Sequence, residues 1–169
     1  INQEDYPGYG YLVKNGATTL WQNWSGTDDH MHAMLGSVEE FNFNHVLGIQ
    51  SPNGGKTTPG FKHIHIEPWI NGEISWAKGY LESPQGKISI DWKKAEQDLT
   101  LKVSIPVNST ATLALPDKYD SVYESGNHLT HNNQSDQSND DEISISHGTQ
   151  KLKIGIGSGT YSFRFSKSR

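Results

Sequence analysis

The hydrophobic period changes partway along this chain, and that change restricts the fold more than any other feature. Up to Gly48 the apolar residues recur at helical spacing wherever they are periodic. Met31, Met34, Leu35, Val38 and Phe41 stand at i, i+3, i+4, i+7 and i+10, one stripe of an α-helix. Asp28 or Asp29 is placed to cap it, offering a carboxylate to free N–H groups. Upstream, Tyr9 to Lys14 reads as the last turns of another helix, ended by Asn15-Gly16. Two helices of this size bury little, so their apolar face must pack on the rest of the chain or on sequence outside it.

After Pro52-Asn53-Gly54-Gly55, a turn-rich connection, the period becomes two. Phe61 to Glu67 alternates Ile64 and Ile66 with His63, His65 and Glu67; Lys87 to Trp92 alternates Ile88, Ile90 and Trp92 with polar residues. Leu99, Leu101, Val103 and Ile105 share one face of a further strand. Ala111–Leu115, Ser121–Glu124, Ile143–Ser146, Leu152–Ile156 and Tyr161–Phe165 complete the expected set. Strands at such spacing, separated by turns such as Ser83-Pro84-Gln85-Gly86, predict a mainly β chain: a jelly-roll-like antiparallel β-sandwich over residues 49–169, preceded by a short helical segment over residues 1–48. His128 to Asp141 holds Leu129 as its one aliphatic residue and is expected to be a mobile loop. Gly155-x-Gly157-x-Gly159 sits between two strands with no helix to follow, so it reads as a hairpin turn and not a phosphate cradle.

Composition removes several classes of function. The 169 residues contain no cysteine, which excludes disulfides, thiolate nucleophiles and Cys-ligated zinc. No apolar run of about 18 residues exists, so no membrane-spanning helix is expected. Lys and Arg number 14 against 19 Asp and Glu, a net charge of −5. The cations are scattered along the sequence, which argues against a nucleic-acid partner. The chain starts at Ile1, with no charged and apolar leader behind it, and is expected to be a processed or truncated piece of something longer. A periplasmic or secreted location is favoured over a cytoplasmic one.

Four constellations carry candidate chemistry. In Thr18-Thr19-Leu20-Trp21-Gln22-Asn23-Trp24 two indoles flank amides; indole faces suit the C–H side of a sugar ring and amides suit its hydroxyls. The competing reading has both Trp21 and Trp24 filling a helix interface. His30-x-His32 beside Asp28 and Asp29 has metal-ligand residue types, but a helix turns i and i+2 apart. His63-x-His65-x-Glu67 does place three ligand types on one strand face, yet it lacks a visible ligand from another strand, and a hydrated outer face is the simpler reading. The sequons at Asn23, Asn108 and Asn133 matter only in a host that glycosylates. No cofactor or metal is expected.

These residues also resemble a known family. The run Gly16-Ala17-Thr18-Thr19-Leu20-Trp21-Gln22-Asn23-Trp24, then His32-x-x-x-Gly36-Ser37-Val38 and Leu47-Gly48-Ile49, is similar to the end of the catalytic domain of family 78 glycoside hydrolases, the bacterial α-L-rhamnosidases. Pro59-Gly60-Phe61-Lys62, Gly86-Lys87-Ile88, Val103-x-Ile105-Pro106-x-Asn108, Leu115-Pro116 and Gly157-Ser158-Gly159-Thr160-Tyr161-x-Phe163 resemble their C-terminal β-domain in family order. The resemblance implies that residues 1–48 are the last helices of an (α/α)6 barrel, with the remainder of that barrel as partner, and that the substrate is a rhamnose-containing glycan or glycoside. It implies inverting hydrolysis of terminal α-L-rhamnosides, in which a carboxylic acid protonates the leaving oxygen and a carboxylate activates water from the opposite face. It further implies a sugar contact for His32 and a general-base Glu in the Thr-Thr-x-Trp-Glu block.

Gln22 stands where that Glu is expected. An amide is nearly isosteric with a carboxylate but cannot take the proton of the attacking water. Three explanations stay open: an engineered substrate trap, a natural descendant that binds without cleaving, and an enzyme recruiting Asp28 or Asp29 instead. A reading from a different class makes residues 49–169 a non-catalytic carbohydrate-binding or purely structural module.

Overall fold

A computed structural model describes residues 3–131, 134–135, 143–147 and 150–167. Tertiary contacts divide the chain into two compact units, Ile1–Phe41 and Asn42–Arg169.

The first unit opens with α1 (Tyr9–Lys14), as the sequence predicts, with Leu12 buried and Gly16 in the left-handed region at φ +86° just beyond its end. The expected second helix is not one helix. Ala33–Gly36 forms a 3-10 turn and Ser37–Phe41 forms α2, while Met31, Met34 and Phe41 of the apolar stripe are exposed. The interruption has its cause outside the stripe: the His32 N–H donates to the Leu20 carbonyl at 2.7 Å, holding the approach to the turn against residues 20–22. Asp29 does not cap a helix; its carboxylate accepts the Met31 N–H, and the residue before the 3-10 turn, His32, gives no side-chain cap.

The second unit begins with a π-helical turn, Asn42–Leu47, and continues as strands β1 (His63–Ile66), β2 (Trp76–Ser83), β3 (Gly86–Lys94), β4 (Asp98–Ile105), β5 (Thr110–Pro116), β6 (Ser121–Glu124), β7 (Asn127–His131), β8 (Gln134–Ser135), β9 (Ile143–His147), β10 (Lys151–Ile156) and β11 (Gly159–Ser166). Among the described residues one sheet runs β1-β5-β10-β9 and the other β2-β3-β4-β11-β6-β7-β8. All neighbours are antiparallel except β1 and β5.

The period-two pattern explains the layers. Leu99, Leu101, Val103 and Ile105 of β4 all point into the core, each worth about 2 kcal/mol on burial. Ile88, Ile90 and Trp92 of β3 join them from one side, and Phe163 and Phe165 of β11 from the other. Ile64, Ile66, Leu113, Leu115, Leu152 and Ile154 supply the facing layer. The π-turn is sewn into this core: the Trp92 indole N–H donates to the Val46 carbonyl at 2.9 Å, and buried Leu47 lies where any side chain at Gly79 would collide with it.

Two sequence expectations change here. His128–His131 belongs to a strand rather than a loop, because Ser125 and Gly126, both at positive φ, form a two-residue hairpin turn that returns β7 onto β6, with Leu129 buried. The rest of the expected loop, apart from Gln134–Ser135 of β8, lies outside the described residues, as does the sequon at Asn133. The glycines around Gly157 connect β10 of one sheet to β11 of the other and so do not close a hairpin.

Candidate functional site

Backbone pairing gathers the sequence-predicted residues of the first unit into one small loop. Gln22 N–H donates to the Asp29 carbonyl and His32 N–H to the Leu20 carbonyl, both at 2.7 Å, so residues 20–22 and 29–32 run side by side and close residues 23–28 between them. Asn23 knots that loop. Its carbonyl oxygen accepts the Ser25 hydroxyl at 2.8 Å, and its amide N–H₂ donates to the Thr27 hydroxyl at 3.3 Å and to the Asp28 carboxylate. Gly26, at φ +68°, completes the turn.

The knot positions Trp21. One side of the indole meets Gly26, where an added Cβ would lie 2.4 Å from the ring, and the His30 imidazole stacks on it at 4.8 Å and 17°. His30 Nε2–H in turn donates to the Gly26 carbonyl at 2.9 Å. His30 is therefore a ring partner for Trp21. Trp24 makes an edge contact with Tyr9 at 6.0 Å and 84°, and the Tyr9 hydroxyl donates to the Leu35 carbonyl at 2.6 Å. Both indoles are half-buried, Gln22 is exposed and His32 is half-buried.

Gln22 and His32 thus share one backbone ladder, while Trp21 and Trp24 turn to different neighbours. Asp28 and Asp29, the alternative bases, accept hydrogen bonds from Asn23 and from the Met31 N–H respectively. Gly26, His30 and Asn23 were not expected as positioning residues; Asn23-x-Ser25-Gly26 carried the signal, since an amide, a hydroxyl and a glycine in that order favour a tight side-chain-bonded loop. Next to this loop, Tyr9, Leu12, Val13 and residues 17–20 line an open depression of about 290 Å³. Its floor is apolar and includes Thr18 and Thr19 but none of Trp21, Gln22, Trp24 or His32.

The His63, His65 and Glu67 row in the second unit is committed elsewhere. His63 Nδ1 and Nε2 meet the Thr110 and Thr112 hydroxyls at 2.8 and 3.1 Å across the β1–β5 pair. Glu67 is the hub of an ionic cluster, reached by Lys56 at 2.9 Å, by Lys151, and by His65 Nε2 at 3.0 Å. Burial works to raise the Glu67 pKa, but the hydrogen bonds from Lys151, Lys56 and His65 outweigh it and hold the carboxyl at about 2. Burial also lowers the His65 pKa, against the pull of Glu67. The cluster does electrostatic work on the sandwich. Among the described residues no three His, Asp or Glu side chains converge as a metal site, and no helix is long and apolar enough to cross a membrane.

Comparison with known proteins bears on both units. Residues 1–46 match the family profile described as bacterial alpha-L-rhamnosidase 6 hairpin glycosidase domain, and residues 48–129 match that of the bacterial alpha-L-rhamnosidase C-terminal domain. An alpha-L-rhamnosidase of Alteromonas sp. (strain LOR) is 27% identical over 131 residues, 71% of this chain and 14% of that protein. The structure of alpha-L-rhamnosidase from Dictyoglumus thermophilum superposes with a TM-score of 0.72 at 28% identity, covering 99% of this chain and 18% of the other. The alpha-L-rhamnosidase of Streptomyces avermitilis, complexed with L-rhamnose, shares the fold with a TM-score of 0.69 at 23% identity, covering 96% and 15%. The chain spans under a fifth of the length of each of these proteins. Since consecutive stretches match the two domains in the order in which the sequence places its helical and β segments, the chain belongs to the bacterial α-L-rhamnosidase family.

Proposed function

We propose that this chain is the C-terminal portion of an α-L-rhamnosidase-like glycoside hydrolase and supplies one wall of its sugar site through Trp21, Gln22, Trp24 and His32. On this reading residues 1–48 are the closing helices of the catalytic barrel, residues 49–169 form its appended sandwich, and the substrate is a terminal α-L-rhamnoside. The observation that carries it is the backbone ladder between residues 20–22 and 29–32, which holds exposed Gln22 and half-buried His32 in one loop braced by the Trp21–His30 stack.

In an inverting glycosidase the base and the acid stand roughly 6.5–9.5 Å apart with a water between the base and the sugar. Gln22 occupies the base position. Its carbonyl oxygen can accept a hydrogen bond from that water and orient it, but the amide takes no proton, so the deprotonation step has no acceptor there. Removing a general base lowers rate by about 10²–10⁴-fold. On this reading the acid comes from the remainder of the barrel, so the isolated chain should leave a chromogenic α-L-rhamnoside uncleaved. Joined to the remainder of its barrel, the Gln22→Glu variant should raise turnover by orders of magnitude. Cleavage by the isolated chain, or an unchanged rate for Gln22→Glu in the joined protein, overturns the assignment.

A further inference from the structure

The sandwich carries a second surface that the Gln22 site does not use. On β2 the inward positions are Ala77, Gly79 and Leu81, so the large side chains Trp76 and Tyr80 face outward, 61% and 53% exposed. Strand register extends this outer face into rows. Trp76 lies opposite Lys93, which continues to Thr100 and Arg164; Lys78 lies opposite Asp91, then Lys102 and Ser162; Tyr80 lies opposite Ser89, then Ser104 and Thr160. Lys87 places its ammonium 3.8 Å from the centre of the Tyr80 ring.

Charge is the telling feature of this face. Lysines 78, 87, 93 and 102 with Arg164 give five cations against Asp91, Glu82 and Asp98, a local excess of two positive charges in a chain of net −5. The cations look scattered in sequence because they alternate with core residues; the sheet collects them. Lys78 does meet Asp91, but at 3.4 Å with the two side chains 71% and 44% exposed, a pairing that an incoming anion displaces at little cost. Buried interfaces between domains are depleted in lysine, so this composition does not fit a seam covered by another domain.

We propose that this outer face binds an anionic glycan, with Trp76 and Tyr80 as platforms for sugar rings and Lys78, Lys87, Lys93 and Lys102 meeting its carboxylate or sulfate groups. The two rings are four residues apart, about 13 Å along the strand, which is the reach of several linked sugars and not of one. The hydroxyl row of Ser89, Ser104 and Thr160, in which Ser104 and Thr160 already share a hydrogen bond at 3.1 Å, supplies neutral partners for sugar hydroxyls beside Tyr80. The net negative charge of the whole chain opposes a densely charged polyanion at long range, so the face favours the sparser charge of a uronate or sulfate-ester chain over nucleic acid. This surface stands or falls independently of Gln22.

Affinity electrophoresis of the full chain in gels containing polygalacturonate, dextran or single-stranded DNA tests the assignment. Polygalacturonate should retard the protein and dextran should not, with retardation falling as salt screens the lysines. Trp76→Ala with Tyr80→Ala should weaken it by about tenfold or more, and Lys93→Glu with Lys102→Glu should abolish it; all four side chains are exposed, and unchanged far-ultraviolet dichroism verifies that the sheet persists. No retardation, equal retardation by dextran, stronger retention by DNA, or variants that migrate like the parent would each overturn the proposal.

Discussion

Replacing Glu67 by glutamine tests the electrostatics of the sandwich most directly. The carboxyl is held at about 2 against its ordinary 4.5, and at about 1.4 kcal/mol per unit a shift of that size caps its contribution at ~3 kcal/mol. Its lysine partners are 52% and 44% exposed, so solvent screening reduces the expected loss in Glu67→Gln to about 1–2 kcal/mol at neutral pH. For a unit of this size that lowers the melting temperature by about 3–6 °C. The sign follows from a pKa that is lower in the folded state. The stabilisation is complete above 4.5 and drains away as pH falls toward about 2, because the unfolded chain takes up the proton first. His65, also lowered by burial, pushes in the same direction beginning below 6.5. Urea unfolding of parent and variant, followed by the far-ultraviolet strand signal at several pH values from 7 to 3, gives the readout. The two curves should be separate at pH 7 and converge in acid, whereas Lys78→Met, which breaks the exposed Lys78–Asp91 pair, should leave the midpoint in place. A gap between Glu67→Gln and parent that persists unchanged through the acid range would refute the reasoning, since packing and not charge would then explain it.

Trp92→Phe should cost about 1–3 kcal/mol in urea titration, because it removes the hydrogen bond to Val46 and part of the ring volume from a fully buried site. Gly48→Ala should cost more than about 2 kcal/mol: the backbone there has φ +86° and an added Cβ would lie 2.2 Å from the Pro68 nitrogen, so the chain itself must move. Gly26→Ala should drive Trp21 off His30, read as a change in tryptophan fluorescence and near-ultraviolet dichroism, because the new methyl meets the indole at 2.4 Å.

Strands were legible where large apolar residues mark the core side. β4 announces itself as Leu99, Leu101, Val103 and Ile105, and all four are buried. β2 escaped for the opposite reason: two of its three inward residues, Ala77 and Gly79, are small, Leu47 occupies the space over Gly79, and its rings face out, so hydrophobicity points the wrong way. β7 escaped because main-chain pairing through a two-residue turn defines it, with Leu129 as its one apolar signal. The Met31 to Phe41 stripe has true helical spacing, yet a long-range hydrogen bond from His32 to Leu20 overrides the local preference at its start. In the candidate site the chemistry-bearing residue types were visible, whereas their arrangement depended on pairing between residues 20–22 and 29–32 that no periodicity encodes.

The π-turn at residues 42–47 decides where this polypeptide can be divided. Beyond the indole bond to Val46, the Trp69 N–H reaches the His45 carbonyl and the Glu67 N–H reaches the Gly48 carbonyl, so the end of the turn is hemmed into the sandwich. A sandwich excised at Ile49 would strand the Trp92 indole donor in a dry interior and empty the slot that Leu47 fills. A fragment that starts at Asn42, where the second compact unit begins, retains all of these seams.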